Sequence, residues 1–294
     1  MINQITKDRI AKLIVRYKKL VSSHANAINE IALAEIPEMV YNSNAIENST
    51  LTLKDTEDIL LRDTVKKDLD IREIYEAKNL ANITENLLKN PAETLDVELI
   101  LRLHKMLLSG IREDWAGRFR SGKEWVRVGG HVGANPNFVS ELMYALIEDY
   151  KKPDDQYFLD KLAWFHAEFE IIHPFNDGNG RIGRVLINQQ LMSLGYPPII
   201  IPNKSKRTSY YPAFDAYRTS SKYDDFTELL AGLLIESLYK RITLLSAPKI
   251  ITVSAWAKLN GIVANIAANK ASRGTIPAFR MRGKWMIEAD FHEE

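Results

Sequence analysis

The sequence predicts a mainly α protein that carries one β-hairpin and ends in a small winged-helix (α+β) segment. Three observations lead there. Apolar residues recur at helical spacing along most of the chain before Ala247-Pro248. One stretch, Trp125-Val126-Arg127-Val128 followed by Gly129-Gly130, has strand-forming residues and a hairpin signal. After Ala247-Pro248 the order becomes helix, turn, helix and two short strands.

In chain order, Ile10, Leu13, Ile14 and Tyr17 mark a first helix, and Ile28, Ile31, Leu33 and Ile36 mark a second that Pro37 closes. A third spans about 69–88 and stops before Asn90-Pro91. Positions 96–109 carry Leu99, Leu103, Met106 and Leu107 on one face, and Gly110 ends that helix. The hairpin follows; in a helical protein it reads as a flap or covering element. Helical periodicity returns at 138–150, 158–172, 181–194 and 225–245, with Gly195-Tyr196-Pro197-Pro198 terminating the third of these. The tail offers helices at 253–259 and 262–269 and two strands around Arg282-Gly283, the layout of a nucleic-acid-binding module. Three segments result: 1–95, a helical region; 96–247, a central domain; and 248–294, the winged-helix-like end.

Composition narrows the function classes. In 294 residues, 39 Lys and Arg face 38 Asp and Glu, so no global field draws the protein to nucleic acid or anionic lipid. The absence of cysteine excludes a disulfide framework, a thiolate zinc site and a thiol nucleophile. The N-terminus has no signal-peptide-like apolar run, and nothing approaches the roughly 20 apolar residues that span a bilayer. A soluble, cytoplasmic protein with no membrane partner is expected.

The chemistry is concentrated in His173-Pro174-Phe175-Asn176-Asp177-Gly178-Asn179-Gly180-Arg181-Ile182-Gly183-Arg184. His173 falls at the end of one predicted helix, where Pro174 breaks helical hydrogen bonding. The glycines from 178 to 180 can present successive N–H groups at the start of the next helix, an anion nest. Arg181 and Arg184, three apart, suit phosphate oxygens, and Asp177 is placed to hold Mg²⁺ against them. His173 is a candidate base for an attacking hydroxyl. Each feature alone is commonplace: a helix-ending His, a Gly-Asn-Gly turn, two arginines on a solvated face, an Asp cap. Together in twelve residues they point to phosphoryl or nucleotidyl transfer.

This run resembles the Fic domain signature, His-Pro-Phe-x-(Asp/Glu)-Gly-Asn-(Gly/Lys)-Arg-x-x-Arg, and meets every specified position. The resemblance extends from Leu103-His104 and Gly117-Arg118-Phe119-Arg120 to Gly195-Tyr196-Pro197-Pro198 and Tyr210-Tyr211, roughly 96–245. It implies a Fic-type helical core that transfers AMP from ATP to a Ser, Thr or Tyr hydroxyl of a target protein, and of itself, releasing pyrophosphate. His173 would be the general base and Asp177 the Mg²⁺ ligand. Gly178, Asn179, Gly180 and Arg181, with Ile182 and Gly183 in the same nucleotide-binding stretch, would cradle the α- and β-phosphates, and Arg184 the γ-phosphate. Lys in place of Gly180 marks a branch that phosphorylates instead, so this chain resembles the AMP-transferring type. Val128, Gly129, Gly130 and His131 resemble the family's flap, which pins the target by strand addition. Tyr210 and Tyr211 would line the adenine pocket, although Arg218 stands where several relatives carry Asn.

Ser43-Asn44-Ala45-Ile46-Glu47-Asn48 resembles the family's inhibitory motif, (Ser/Thr)-x-x-x-Glu-(Gly/Asn). Ser43 and Glu47, four apart, share a helix face, and the resemblance implies that Glu47 pairs with Arg184 in place of ATP. Asn44 with Glu47 also reads as a capping box. Other readings stay open: removal of AMP through the same glutamate, another donor such as UTP, a homodimer, or a DNA-binding regulator whose C-terminal Lys258, Lys270, Arg273, Arg280, Arg282 and Lys284 meet phosphates.

Overall fold

Short polar side chains set the helix starts. Asn3, Thr52, Asp70, Asp96 and Thr252 sit in extended backbone and accept hydrogen bonds from the N–H groups of Thr6, Asp55, Arg72, Leu99 and Ala255. The computed structural model describes residues 2–66, 68–128 and 130–293. In order these form α1 (Gln4–Ser23), α2 (Ala25–Ile46), α3 (Leu53–Arg62), α4 (Ile71–Lys89) and α5 (Val97–Leu108). The hairpin β1 (Arg127–Val128) and β2 (His131–Val132) precedes α6 (Val139–Lys151), α7 (Phe158–Ile172), α8 (Asn179–Ser193), α9 (Tyr211–Ser220) and α10 (Asp224–Ser246). The chain ends in β3 (Ile250–Thr252), α11 (Val253–Leu259), α12 (Ala264–Ser272), β4 (Phe279–Met281) and β5 (Lys284–Glu288). The expected fold class, mainly α with one hairpin, is present.

Two compact units emerge, one of Glu35–Leu229 and one of Ile2–Ala34 with Leu230–Glu294. Their limits differ from the division at 95 and 247, because α1 belongs with the C-terminal residues: Arg9 Nε donates to Tyr239 Oη at 3.1 Å within the second unit. In the first unit α7 packs on α6 and α8, while α4 and α5 also reach α8. Phe165 and Phe169 of α7 and Ile182, Leu186 and Leu191 of α8 are buried there. This frame holds both ends of the 173–178 turn.

Pro37 does not close α2, as its sequence position suggested. It lacks the N–H that would bond Leu33, yet the helix continues to Ile46. Burial of Ile36, Val40 and Ile46 on either side supplies apolar contact that outweighs one missing bond. Three elements had no counterpart in the periodicity: α3, α9 and β3. α3 is announced only by the reciprocal capping box of Thr52 and Asp55.

In the second unit the sheet order is β3-β5-β4, all antiparallel, with Ile251 opposite Ile287 and Arg280 opposite Trp285. Arg282 (φ 50) and Gly283 (φ 75) make the two-residue turn between β4 and β5. Val253, Trp256, Ala257, Ala267, Ala271, Ile276, Ala278 and Ile287 form the core beneath it. Trp256 is the largest of these, and its Nε1 donates to Phe291 O at 2.8 Å. Trp256→Ala is expected to cost this unit about 3–5 kcal/mol, measured by urea-dependent hydrogen exchange of the β3, β4 and β5 amides; a loss below about 1 kcal/mol would show that Trp256 does not organise the core.

Candidate active site

The turn from α7 to α8 is held by its carbonyl groups. His173 ends α7 in the left-handed region (φ 52, ψ 64), its N–H still bonded to Phe169 O at 2.9 Å. Arg120, fully buried, donates Nε to His173 O at 2.7 Å and Nη2 to Ile172 O at 2.9 Å and Ala134 O at 2.5 Å. Its backbone N–H takes Pro174 O at 3.0 Å. Burial presses this guanidinium below its ordinary pKa. Asn179 closes the next step: its Oδ1 accepts from Phe175 N and its Nδ2 donates to Phe175 O, both at 2.8 Å.

His104 lies flat on the Phe175 ring, centroids 3.7 Å apart. Its Nδ1 accepts from Gly117 N at 3.1 Å, so the proton is on Nε2, which donates to Asp177 O at 3.0 Å. Gly178 (φ +82) precedes α8 where a Cβ would stand 2.8 Å from Leu107, so the turn requires glycine for conformation and space.

Asp177 is held from three sides. Oδ1 accepts from Gly178 N at 2.6 Å and Arg181 Nη2 at 3.0 Å, and Oδ2 pairs with Arg72. Burial works to raise its pKa, but Arg181 and Arg72 reverse this and hold it below the usual carboxylate range. Glu76 completes the group, 2.9 Å from Arg181 Nη1 and 3.0 Å from Arg72 Nε.

Arg184, one turn along α8, faces the end of α2. Its Nε donates to Ser43 Oγ at 3.0 Å, and Nη2 donates to Ser43 O at 2.9 Å and Glu47 Oε1 at 2.8 Å. Burial disfavours the cation, yet Glu47 and Tyr210 beside it keep the arginine above its ordinary pKa. Gly180 leaves the space for this pair, since a Cβ there would lie 2.2 Å from Glu47 Oε1. The α2 terminus is itself held: Lys206 Nζ reaches Ala45 O at 3.2 Å, Ile46 O at 3.3 Å and Asn48 Oδ1 at 2.8 Å, and Tyr211 Oη donates to Ile46 O at 3.0 Å. Asn44 is no N-cap. It lies in the last turn of α2, its carbonyl accepting from Glu47 N at 2.9 Å and Ser49 N at 3.1 Å.

The structure thus gathers His173, Asp177, Gly178, Asn179, Gly180, Arg181, Arg184, Ser43 and Glu47 around one turn. Tyr210 is buried near Arg184, its Oη 2.9 Å from His166 Nε2, whereas Tyr211 is exposed. Ile182 points into the core, so only its backbone is near the turn. Val128 and His131 pair across the hairpin, and His131 Nε2 lies 3.1 Å from Ile171 O at the end of α7; Gly129 lies outside the described residues. Arg218 pairs with Asp215. Sequence reasoning missed Arg72 and Glu76, visible only as an i,i+4 charge pair; Lys206; and Glu170, three residues before His173. Among the described residues no three His, Asp or Glu cluster as a metal site, and no helix is long and apolar enough to cross a membrane.

Residues 94–191 match the Fic/DOC family. The chain is 32% identical over 218 residues to a Drosophila willistoni protein named "Protein adenylyltransferase Fic", covering 72% of this chain and 43% of that protein. A Nematostella vectensis protein of the same name is 30% identical over 217 residues, covering 71% and 50% respectively. The chain therefore spans half or less of the length of these curated relatives. A solved Fic domain containing signalling protein from Bacteroides thetaiotaomicron superposes with a TM-score of 0.71 at 24% identity, covering 81% of this chain and 96% of that one, which shows a common fold.

Two buried histidines make the frame of this turn sensitive to acid. Burial lowers His104 and His166 from 6.5 to about 4. Between those values the unfolded chain binds protons that the folded chain refuses, so stability is full above 6.5 and falls as pH drops towards 4, by about 3 kcal/mol per ring. His104→Asn is expected to remove about half of this pH dependence, compared by urea unfolding at neutral and acid pH. An unchanged slope would mean that the ring titrates alike in both states.

Proposed function

Because residues 94–191 form a Fic/DOC-family domain, we propose that this chain is a protein adenylyltransferase that moves AMP from ATP to a Ser, Thr or Tyr hydroxyl of a target protein and of itself, and that Glu47 holds it inactive. One observation carries the proposal. Arg184, at the mouth of the glycine turn, bonds both Ser43 and Glu47.

In the active enzyme the free N–H groups at the start of α8 and the positive end of its dipole receive the phosphates, with Arg181 beside them. Arg184 takes the γ-phosphate and so fixes the α-phosphate for in-line attack. His173 Nε2 accepts the hydroxyl proton as the target oxygen bonds the α-phosphorus, the bond to the bridging oxygen breaks and pyrophosphate departs. Asp177 fits Mg²⁺, which commonly binds through one or two carboxylates plus substrate phosphates. Its Oδ2 partner Arg72, 49% exposed, has room to leave. When bound, Mg²⁺ would neutralise phosphate charge. The exposed hairpin edge at Val128 offers backbone groups to a target strand.

With Glu47 on Arg184, ATP loses the contact that orients its α-phosphate. A buried pair is worth about 3–5 kcal/mol when broken, but Glu47 is 39% exposed and solvent screens it. Roughly ten- to hundredfold repression results. The DNA-binding reading of the C-terminal segment rests on fewer basic residues than the six its sequence offers, since Lys270 pairs with Glu293 and Arg280 with Glu236, while Lys258, Arg273, Arg282 and Lys284 are exposed.

Glu47→Gly is expected to raise self-labelling by α-labelled ATP roughly ten- to hundredfold, with none from γ-labelled ATP, and His173→Ala to abolish it in either background. Equal labelling of wild type and Glu47→Gly overturns the brake; labelling by γ-labelled ATP overturns AMP transfer. Competition with UTP in the same assay identifies the donor.

A further inference from the structure

α7 places His166, Glu170 and His173 four and three residues apart, on one face. Glu170 Oε2 is 3.6 Å from His173 Nδ1. His173 Nδ1, Glu170 Oε1 and His166 Nδ1 are all buried and have no hydrogen-bond partner. Such atoms are costly to leave unpaired, and a shift of about half an ångström would bring Glu170 Oε2 within hydrogen-bond range of His173 Nδ1.

Two features keep the carboxylate there. A Cβ on Gly183 would lie 2.5 Å from Glu170 Oε1 and 3.1 Å from His166 Nδ1, so glycine holds the space open. On the other side Arg120 and Phe169 fix the His173 backbone, leaving the ring only its side-chain torsions. The charged and titratable groups around the pair come from several elements: His166 on α7, bonded to Tyr210; Arg184 on α8; Tyr210 itself; Arg120, whose guanidinium bonds carbonyls; and His131 of β2, directed to Ile171 O. Burial works to raise Glu170, but His173, His166 and Arg184 hold it below the usual carboxylate range. It is therefore an acceptor only.

We propose that Glu170 is a positioning residue that accepts the Nδ1 proton of His173 and so holds the ring in the tautomer whose bare Nε2 takes the hydroxyl proton of the target. The inference rests on the reading of His173 as the base. It assigns the carboxylate the part of the third group that orients a base in other transfer enzymes. It also gives Gly183 a role in the reaction without phosphate contact: a side chain there would require the Glu170 carboxylate to move.

The tautomer is read directly by ¹⁵N NMR of the full chain at alkaline pH, with His173 assigned by its loss in His173→Ala. The expected spectrum shows a protonated Nδ1 and a bare Nε2 in wild type, and a population of the other tautomer in Glu170→Gln. In a Glu47→Gly background, Glu170→Gln is expected to lower kcat for AMP transfer about a hundredfold with the KM for ATP within about twofold, and Glu170→Asp to recover part of the loss. A protonated Nε2 in wild type overturns the proposal, as does a Glu170→Gln enzyme with unchanged kcat. Should Glu170→Gln not fold, the wild-type spectrum alone decides. A protonated Nδ1 in a Glu47→Gly protein that transfers no AMP would instead overturn the proposed reaction and leave the orientation standing.

Discussion

Within six residues, 173–178, the chain must leave α7 and enter α8, and the way it disposes of its carbonyls governs everything around it. Ile172 O and His173 O go to the Arg120 side chain, Pro174 O to its backbone, Phe175 O to Asn179 and Asp177 O to His104. With these acceptors bonded, the turn delivers the chain to the start of α8, whose first N–H groups have no intrahelical acceptor. Arg120 is a buried cation solvated by carbonyl dipoles, because the neighbouring carboxylate of Glu124 is taken by Arg118. A lysine could not make this fork of bonds.

The two arginines of α8 then divide the available carboxylates. Arg181 is shared between Asp177 and Glu76, while Arg184 looks to Ser43 and Glu47. Their spacing of three residues permits both, since successive turns face different neighbours. The pairing of Arg184 depends on where α2 ends, and there Lys206 and Tyr211 supply donors to the last carbonyls, which a helix cannot satisfy by itself. A cation at that end also suits the negative pole of the helix dipole.

Periodicity made the long helices legible because their apolar faces are wide and buried; α1, α5, α7 and α10 fall close to where residue spacing puts them. Short elements with few apolar residues, α3, α9 and β3, leave no such trace. Pro37 does not mark a helix end because the buried Ile36 and Val40 beside it hold α2 together across the missing bond. At the site, contiguous residues from His173 to Arg184 were readable in one glance, and the Ser43–Glu47 pair became readable once that run was known. Arg72, Glu170 and Lys206 were not, since their importance arises from contacts across 105, three and 161 positions that single residues do not advertise.

Gly180 ties these parts together through an absence. The volume that a methyl group would fill is where Glu47 Oε1 lies, 2.2 Å from the position of that carbon, and Arg184 Nη1 is 3.0 Å from it. The change of Gly to Ala would therefore oblige the Glu47 carboxylate to move, and with it the ion pair to Arg184. The choice of partner by Arg184 thus depends on a residue that touches neither charge through a side chain of its own.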